Sequence, residues 1–339
     1  MEEYIYPEIL KKGDTIGIIA PSAGIAAIFP HRLDNAITYL KSQGYNIKEF
    51  STTRKINGWE SAPAKERAKD IMDAFLDKDI KAIICLIGGN TINKTLKFLD
   101  FQKIKENPKI FCGYSDISVL HYALNKKCKF TTFYGPCIMT QFGEYPNPLD
   151  YTIKYFNKAI VEKDIGEVKA SNEWTEETLD WSEKKDLERP RELIKNPGFE
   201  WLKEGKVKGN IIGGCLPSII QLIGTEYWPS HNNKILFIEL PEGQEFNKGE
   251  PLAEVDANLA NLEIAGIFKE IKGLIIGRPF KYSQEETNKF KEILLDNTKD
   301  YNFPILFGVD IGHTDPQITI PLEAETEIDS INNIFKINI

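Results

Sequence analysis

Several features that would settle a protein's class at once are scarce or missing here. Positive charge is not in excess: 42 Lys and Arg stand against 50 Asp and Glu, a net charge of −8. A nucleic-acid polymer or an anionic membrane is therefore not an expected partner, since both reward a basic face. No apolar run approaches the roughly 20 residues of a bilayer span. The opening "MEEYIYPEILKKGD" lacks the basic-then-apolar pattern of a secretory leader, so a cytoplasmic location is the expectation. Five cysteines, Cys85, Cys112, Cys128, Cys137 and Cys215, are odd in number, scattered and without metal-ligand spacing. They read as buried thiols in a reducing compartment. Histidine is limited to four residues, so imidazole chemistry has few candidates. The glycine turns "GIIAPSAG" and "GGNTINK" lack the spacing of a dinucleotide fingerprint or a P-loop.

What is present is an alternation of short apolar runs with amphipathic stretches. "TIGIIAPSAG" reads as strand and turn, and "RLDNAITYLKSQG" places Leu33, Ile37 and Leu40 at helical spacing before Gly44. "KAIICLIGGN" is another strand and turn; "KTLKFLDFQKI" follows as a helix, "KIFCGYSD" as a strand and "ISVLHYALNKK" as a helix. This predicts a doubly wound, mostly parallel α/β layer over 1–145. From 146 to 205 the composition shifts to Pro, Asn, Glu and Lys around Trp174 and Trp181, as in a connector carrying a functional loop. Residues 206–339 resume with apolar runs such as "KILFIEL", "GLIIGRP" and "PILFGVDIGH" and helical stretches between them, a second core.

In an open parallel sheet, ligands gather beyond the carboxyl ends of the strands. The residues to weigh are therefore Gly88, Gly89 and Asn90, Gly113 to Asp116, Glu239, and Asp310, Gly312 and His313. Ser115 reads either as a helix N-cap or as a nucleophile displayed on a sharp strand-to-helix turn. Asp116 is a good cap in its own right and Gly113 suits a strained turn, although Ile117 stands where the α/β-hydrolase elbow has glycine. Glu239 ends an apolar strand, where a carboxylate needs a partner: a salt bridge, or a catalytic imidazole. His313 lies in a glycine-containing turn just past a strand and is either structural or a base. His121 falls inside a helix, and His31 and His231 in polar or proline-containing turns. The N–H of Asp116, with that of Gly88 or Gly89, would suit an oxyanion hole beside Ser115.

On "GDTIGIIAPS", "LDFQKIKENPKIFCGYSDIS", "TFYGP", "GKVKGNIIGGCLPSIIQLIGTEYWP", "FIEL", "GLIIGRP" and "GVDIGHTDPQITIPL", nearly end to end, the sequence resembles the LD-carboxypeptidase family of serine peptidases. Within it, the resemblance is to the branch that confers self-immunity to microcin C. It implies an α/β N-terminal domain, a smaller β-rich C-terminal domain, a homodimer, and no metal or organic cofactor. It places the nucleophile on Ser115, the acid on Glu239 and the base on His313. The implied substrate is a small peptidyl-nucleotide, an aspartyl-nucleotide amide of the microcin C type, with a murein tetrapeptide as the alternative. "SNEWTEETLDW" resembles that branch's base-facing loop, which makes Trp174 and Trp181, with Asn90, the expected substrate contacts; otherwise the tryptophans anchor the connector. A catalytically silent peptide or nucleotide binder is the reading of another class, and the full Ser115, Glu239, His313 set argues against it. One departure from the family pattern is Glu323, after "IPL", where the family often carries glycine.

Overall fold

The structure is a computed structural model that describes residues 4–245 and 247–339, so the first three residues of the expected 1–145 domain lie outside it. The chain divides into two compact units. One comprises Met1–Lys163, Glu177–Glu192 and Ile318–Pro321; the other Asp164–Glu176, Leu193–Gln317 and Leu322–Ile339. The stretch 146–205 is thus shared between both units rather than standing apart.

In the first unit, β-branched runs such as Ile83–Ile84 and Ile18–Ile19 form strands buried on both faces, the pattern of a parallel sheet. The spatial order is Asn46–Glu49, Thr15–Ile19, Ile80–Cys85, Ile110–Gly113 and Phe133–Tyr134, all parallel, with Ile320–Pro321 added antiparallel to Phe133–Tyr134. The chain thus leaves this unit and returns late to complete its sheet. Helices Pro30–Ser42, Ala64–Leu76 and Ser118–Cys128 are the crossover elements; proline opens the first, and its Leu33, Ala36 and Leu40 are buried. The strand order reverses at Thr15–Ile19 and Ile80–Cys85, which is where ligands gather in open parallel sheets.

The second unit is built on a sheet in the order Gly166–Glu167, Ile334–Asn338, Glu325–Asp329, Lys206–Cys215, Ile235–Glu239, Gly273–Gly277, Ile305–Val309 and Glu200–Lys203. Its four central strands, from Lys206–Cys215 to Ile305–Val309, are parallel, and the flanking pairs are antiparallel. Helix Gln284–Asn297 starts where the sequence encodes a capping box, Ser283 and Glu286 exchanging hydrogen bonds.

Two helices differ from their expected extent. "KTLKFLDFQKI" is a 3-10 segment, Ile92–Phe98, followed by helix Phe101–Lys105, because Asp100 breaks the run and caps the Lys103 N–H at 3.1 Å. The helical stretch between "KILFIEL" and "GLIIGRP", expected as one helix through "LAEVDANLANLEIAGIFKEI", splits into Leu252–Ile264 and Ile267–Glu270 at Gly266, where φ is +80°. Glu323 explains the glycine habit of its position: its φ is +69°, a left-handed conformation that costs a side-chain-bearing residue about 1–2 kcal/mol. Its buried carboxylate pairs with Lys234 and accepts from Asn210 Nδ2 at 3.4 Å. Removing one partner of a buried ion pair costs about 3–5 kcal/mol, so Glu323→Gly is expected to lower stability by about 2 kcal/mol despite the relieved backbone. Adding Lys234→Met should recover most of that loss in urea unfolding. Equal midpoints for Glu323→Gly and wild type would show that the pair contributes no more than the strain.

Candidate active site

Strand Ile110–Gly113 delivers Tyr114 in an extended conformation, and the chain then turns sharply. Ser115 has φ +65° and opens the 3-10 turn Ser115–Ile117, which leads into helix Ser118–Cys128. Such strain persists only where the surroundings hold it. Here the Ser115 N–H donates to the Tyr134 hydroxyl at 3.1 Å, and its carbonyl accepts from Ser118 Oγ at 2.6 Å. Ser115 caps neither the turn nor the helix, so the cap reading gives way to a displayed hydroxyl. A Cβ on Gly88 would lie 2.8 Å from Ser115 Oγ and 3.3 Å from the Asp116 nitrogen, so any side chain there would strike the serine. Gly89 has φ +146°, and a Cβ on it would fall 2.5 Å from Ser22 Oγ. Asn90 is exposed on the same turn.

Asp116 also fails to cap its own helix, for a reason no local rule could supply. Its Oδ2 accepts from Ser22 Oγ at 2.6 Å and from the N–H groups of Thr91 and Ile92 at 2.9 and 3.1 Å, tying together the two loops of the strand-order reversal. Burial pushes its carboxyl above the usual range while these donors pull it back. Beneath the turn, His121 Nε2 meets the Gly113 carbonyl at 2.9 Å and Nδ1 meets Thr132 Oγ1 at 2.8 Å. Burial lowers this imidazole to about 4, so it is neutral; the carbonyl can only accept, which puts the proton on Nε2. His121 braces the end of the serine-bearing strand.

In the second unit, Glu239 ends strand Ile235–Glu239 fully buried, and its partner is an imidazole. His313 Nδ1 lies 2.7 Å from Glu239 Oε2. Gly312 between them has φ +97°, and a Cβ on it would come 2.3 Å from Oε2, so glycine is required for the approach. An ionised carboxylate only accepts, so Nδ1 carries the proton and Nε2 is the ring nitrogen on the side away from Glu239. Burial pushes the His313 imidazole down, but Glu239, then Glu242 and Asp315, outweigh it and raise it to about 9. Glu242 approaches Nε2 to 3.5 Å and is itself 40% exposed. The other two histidines are engaged elsewhere: His31, in helix Pro30–Ser42, meets Asp186 at 3.1 Å, and His231 stacks on Trp228.

Both expected tryptophans are half-buried, and each gives one face to an arginine. The Arg278 guanidinium lies 4.6 Å from the Trp174 ring centroid, within the second unit. Within the first, Arg32 lies 4.6 Å from Trp181, which also meets Phe29 edge-on. Ser22, Tyr134, Glu242 and Arg278 are supporting groups that motif reading did not place, whereas Asp310 stood among the residues to weigh past the strands. Ser22 was the most accessible of them, since it directly follows the first strand at the reversal of strand order. Among the described residues no group of three or more His, Cys, Asp or Glu could hold a metal ion, and no helix is long and apolar enough to cross a membrane.

A serine on a strained turn past a parallel strand, and in the other unit a buried Glu–His pair, are residue types that serine hydrolases use. The chain belongs to the LD-carboxypeptidase family: residues 16–135 match its N-terminal domain and residues 208–328 its C-terminal domain. It is a serine-type hydrolase. It is 32% identical to the microcin C7 self-immunity protein MccF of Escherichia coli over 97% of this chain and 94% of that one. It is 31% identical to a putative carboxypeptidase of Vibrio cholerae over 98% of this chain and 97% of the relative. Its structure matches that of MccF in complex with aspartyl sulfamoyl adenosine with a TM-score of 0.90 at 31% identity, covering 99% of this chain and 98% of that one. The MccF complex with glutamyl sulfamoyl guanosine matches with a TM-score of 0.89 at 30% identity, covering 98% of each chain.

Proposed function

We propose that the protein hydrolyses the amide that joins an aspartyl or glutamyl group to a nucleotide, with Ser115, His313 and Glu239 as its triad. The observation that carries the reading is the Glu239–His313 pair: with Nδ1 bound to the carboxylate, Nε2 is the nitrogen that takes a proton. Ser115 Oγ attacks the amide carbonyl as its proton passes to His313 Nε2. The oxyanion is stabilised by the Asp116 N–H with that of Gly88 or Gly89, and His313 then protonates the leaving nitrogen. Water, deprotonated by His313, cleaves the acyl-enzyme. The likeness to MccF, solved with an aspartyl and a glutamyl sulfamoyl nucleoside, supports this substrate class. A cytoplasmic homodimer built from domains 1–145 and 206–339 with the connector 146–205 belongs to the same reading.

Asn90, Trp174 and Trp181 are assigned to substrate recognition. A net-acidic protein has no broad positive potential for a nucleotide and relies on aromatic faces, worth about 1–3 kcal/mol per stacked base. Trp174→Ala and Trp181→Ala are expected to raise KM for an aspartyl-nucleotide amide about tenfold, leaving small-peptide hydrolysis unchanged. Loss of thermal stability, with equal losses on every substrate, would make them anchors instead. The test of the whole reading is a parallel assay on an aspartyl-sulfamoyl-adenosine amide and a murein tetrapeptide, with fluorophosphonate labelling. Preference for the tetrapeptide would overturn the substrate, and no turnover of either with no label on Ser115 would overturn the enzyme.

A further inference from the structure

Three residues before His313, the strand Ile305–Val309 delivers Asp310, whose carboxylate is fully buried and fully engaged. Its Oδ2 accepts from the Ser171 N–H at 2.8 Å, and its Oδ1 accepts from Ser171 Oγ at 3.1 Å, Asn196 Nδ2 at 3.1 Å and Arg278 Nη2 at 2.8 Å. Two residues after His313, Asp315 exchanges two backbone hydrogen bonds with Thr175, at 2.6 and 2.9 Å. One short stretch of chain, Ser171 to Thr175, therefore holds the histidine turn on both sides. Between those two anchors Trp174 lies over the guanidinium that binds Asp310. Arg278 is 6% exposed, and its Nη1 is buried with no hydrogen-bond partner among the described residues. An unsatisfied buried donor is destabilising, and a buried ion pair by itself seldom offsets such a loss.

We propose that the Ser171–Thr175 strap, locked through Arg278 to Asp310, is the clamp that sets the position of His313, which makes Arg278 a positioning residue for proton transfer. The strap also carries Trp174, so a substrate that engages that ring presses on the element that fixes the base. Displacements of about 1 Å at a reacting group can lower a rate about 100-fold.

The proposal rests on His313 acting as the base, so its test reads that residue in two ways. One is kcat and KM on the aspartyl-nucleotide amide; the other is the downfield NMR resonance of the His313 Nδ1 proton, assigned by its loss in Glu239→Gln. Arg278→Lys, which keeps the charge but loses the planar fork, is expected to lower kcat about 10- to 100-fold with KM within about threefold, and to shift or broaden the resonance. Ser171→Ala, which removes one hydroxyl from the cluster, should show the same changes to a smaller degree and serves in place of Arg278→Lys if that variant does not fold. A lowered thermal midpoint with kcat and the resonance unchanged would overturn the clamp, as would a lowered kcat with an unchanged resonance. A shifted resonance with full turnover would support the clamp and refute the base role of His313.

Discussion

Ser115→Ala and His313→Ala are each expected to cut kcat by about 10⁴-fold or more with little change in KM, and the double variant to be no slower than the slower single. In the proposed triad the two side chains share one event, movement of a proton from Oγ to Nε2 during attack, so once either is missing the other has nothing left to do. What remains would be catalysis by the amides beside Ser115, which neither substitution removes. Steady-state kinetics on the aspartyl-nucleotide amide decide it. A double variant much slower than both singles would mean that the serine and the imidazole act independently.

Glu239→Gln should show itself in the pH profile as much as in the rate. In the folded wild type the His313 imidazole is raised from 6.5 to about 9, since the carboxylates of Glu239, Glu242 and Asp315 outweigh the burial that lowers it. Only the neutral ring accepts a proton, so kcat/KM is expected to climb with pH along a limb lying between 6.5 and about 9. Without the Glu239 charge, burial prevails and the limb moves to lower pH, while the maximal rate falls by about 10³- to 10⁴-fold through loss of the ordered tautomer. Stability follows with a definite sign. A raised folded-state value stabilises fully below 6.5, and that contribution is lost as pH rises through about 9. The gap in thermal midpoint between wild type and Glu239→Gln should therefore narrow from pH 6 to pH 9. A gap that widens, or a limb that stays in place, would remove Glu239 as the partner that charges His313.

The parts of this molecule that could be read from the chain are those decided within a few residues. Alternating apolar runs and helical spacings marked the parallel strands and their crossovers, and the residues just past the strands contained Ser115, Glu239 and His313. Glu239 could be known to need a partner, because an ionised group at the end of a buried strand must have one. Which group that was depended on a tertiary contact with His313, 74 residues away. Asp116 was misread for the same reason: a cap is a local solution, and the donors it takes belong to Thr91 and Ile92. Composition marked 146–205 as different from its surroundings but held no signal that 164–176 and 177–192 would join different cores. At Glu323 the departure from a familiar pattern was visible, whereas the compensating Lys234 was not.

The late return of the chain to its first sheet has a bearing on the order in which function emerges during synthesis. Tyr134, whose hydroxyl receives the Ser115 N–H, belongs to a two-residue strand that is flanked on its outer side by Ile320–Pro321. Until Ile320–Pro321 is made and paired, that strand is an open edge, the kind of surface that pairs with foreign chains. A nascent or truncated product ending before Ile318 would carry the serine on an unfinished support and a sticky margin beside it.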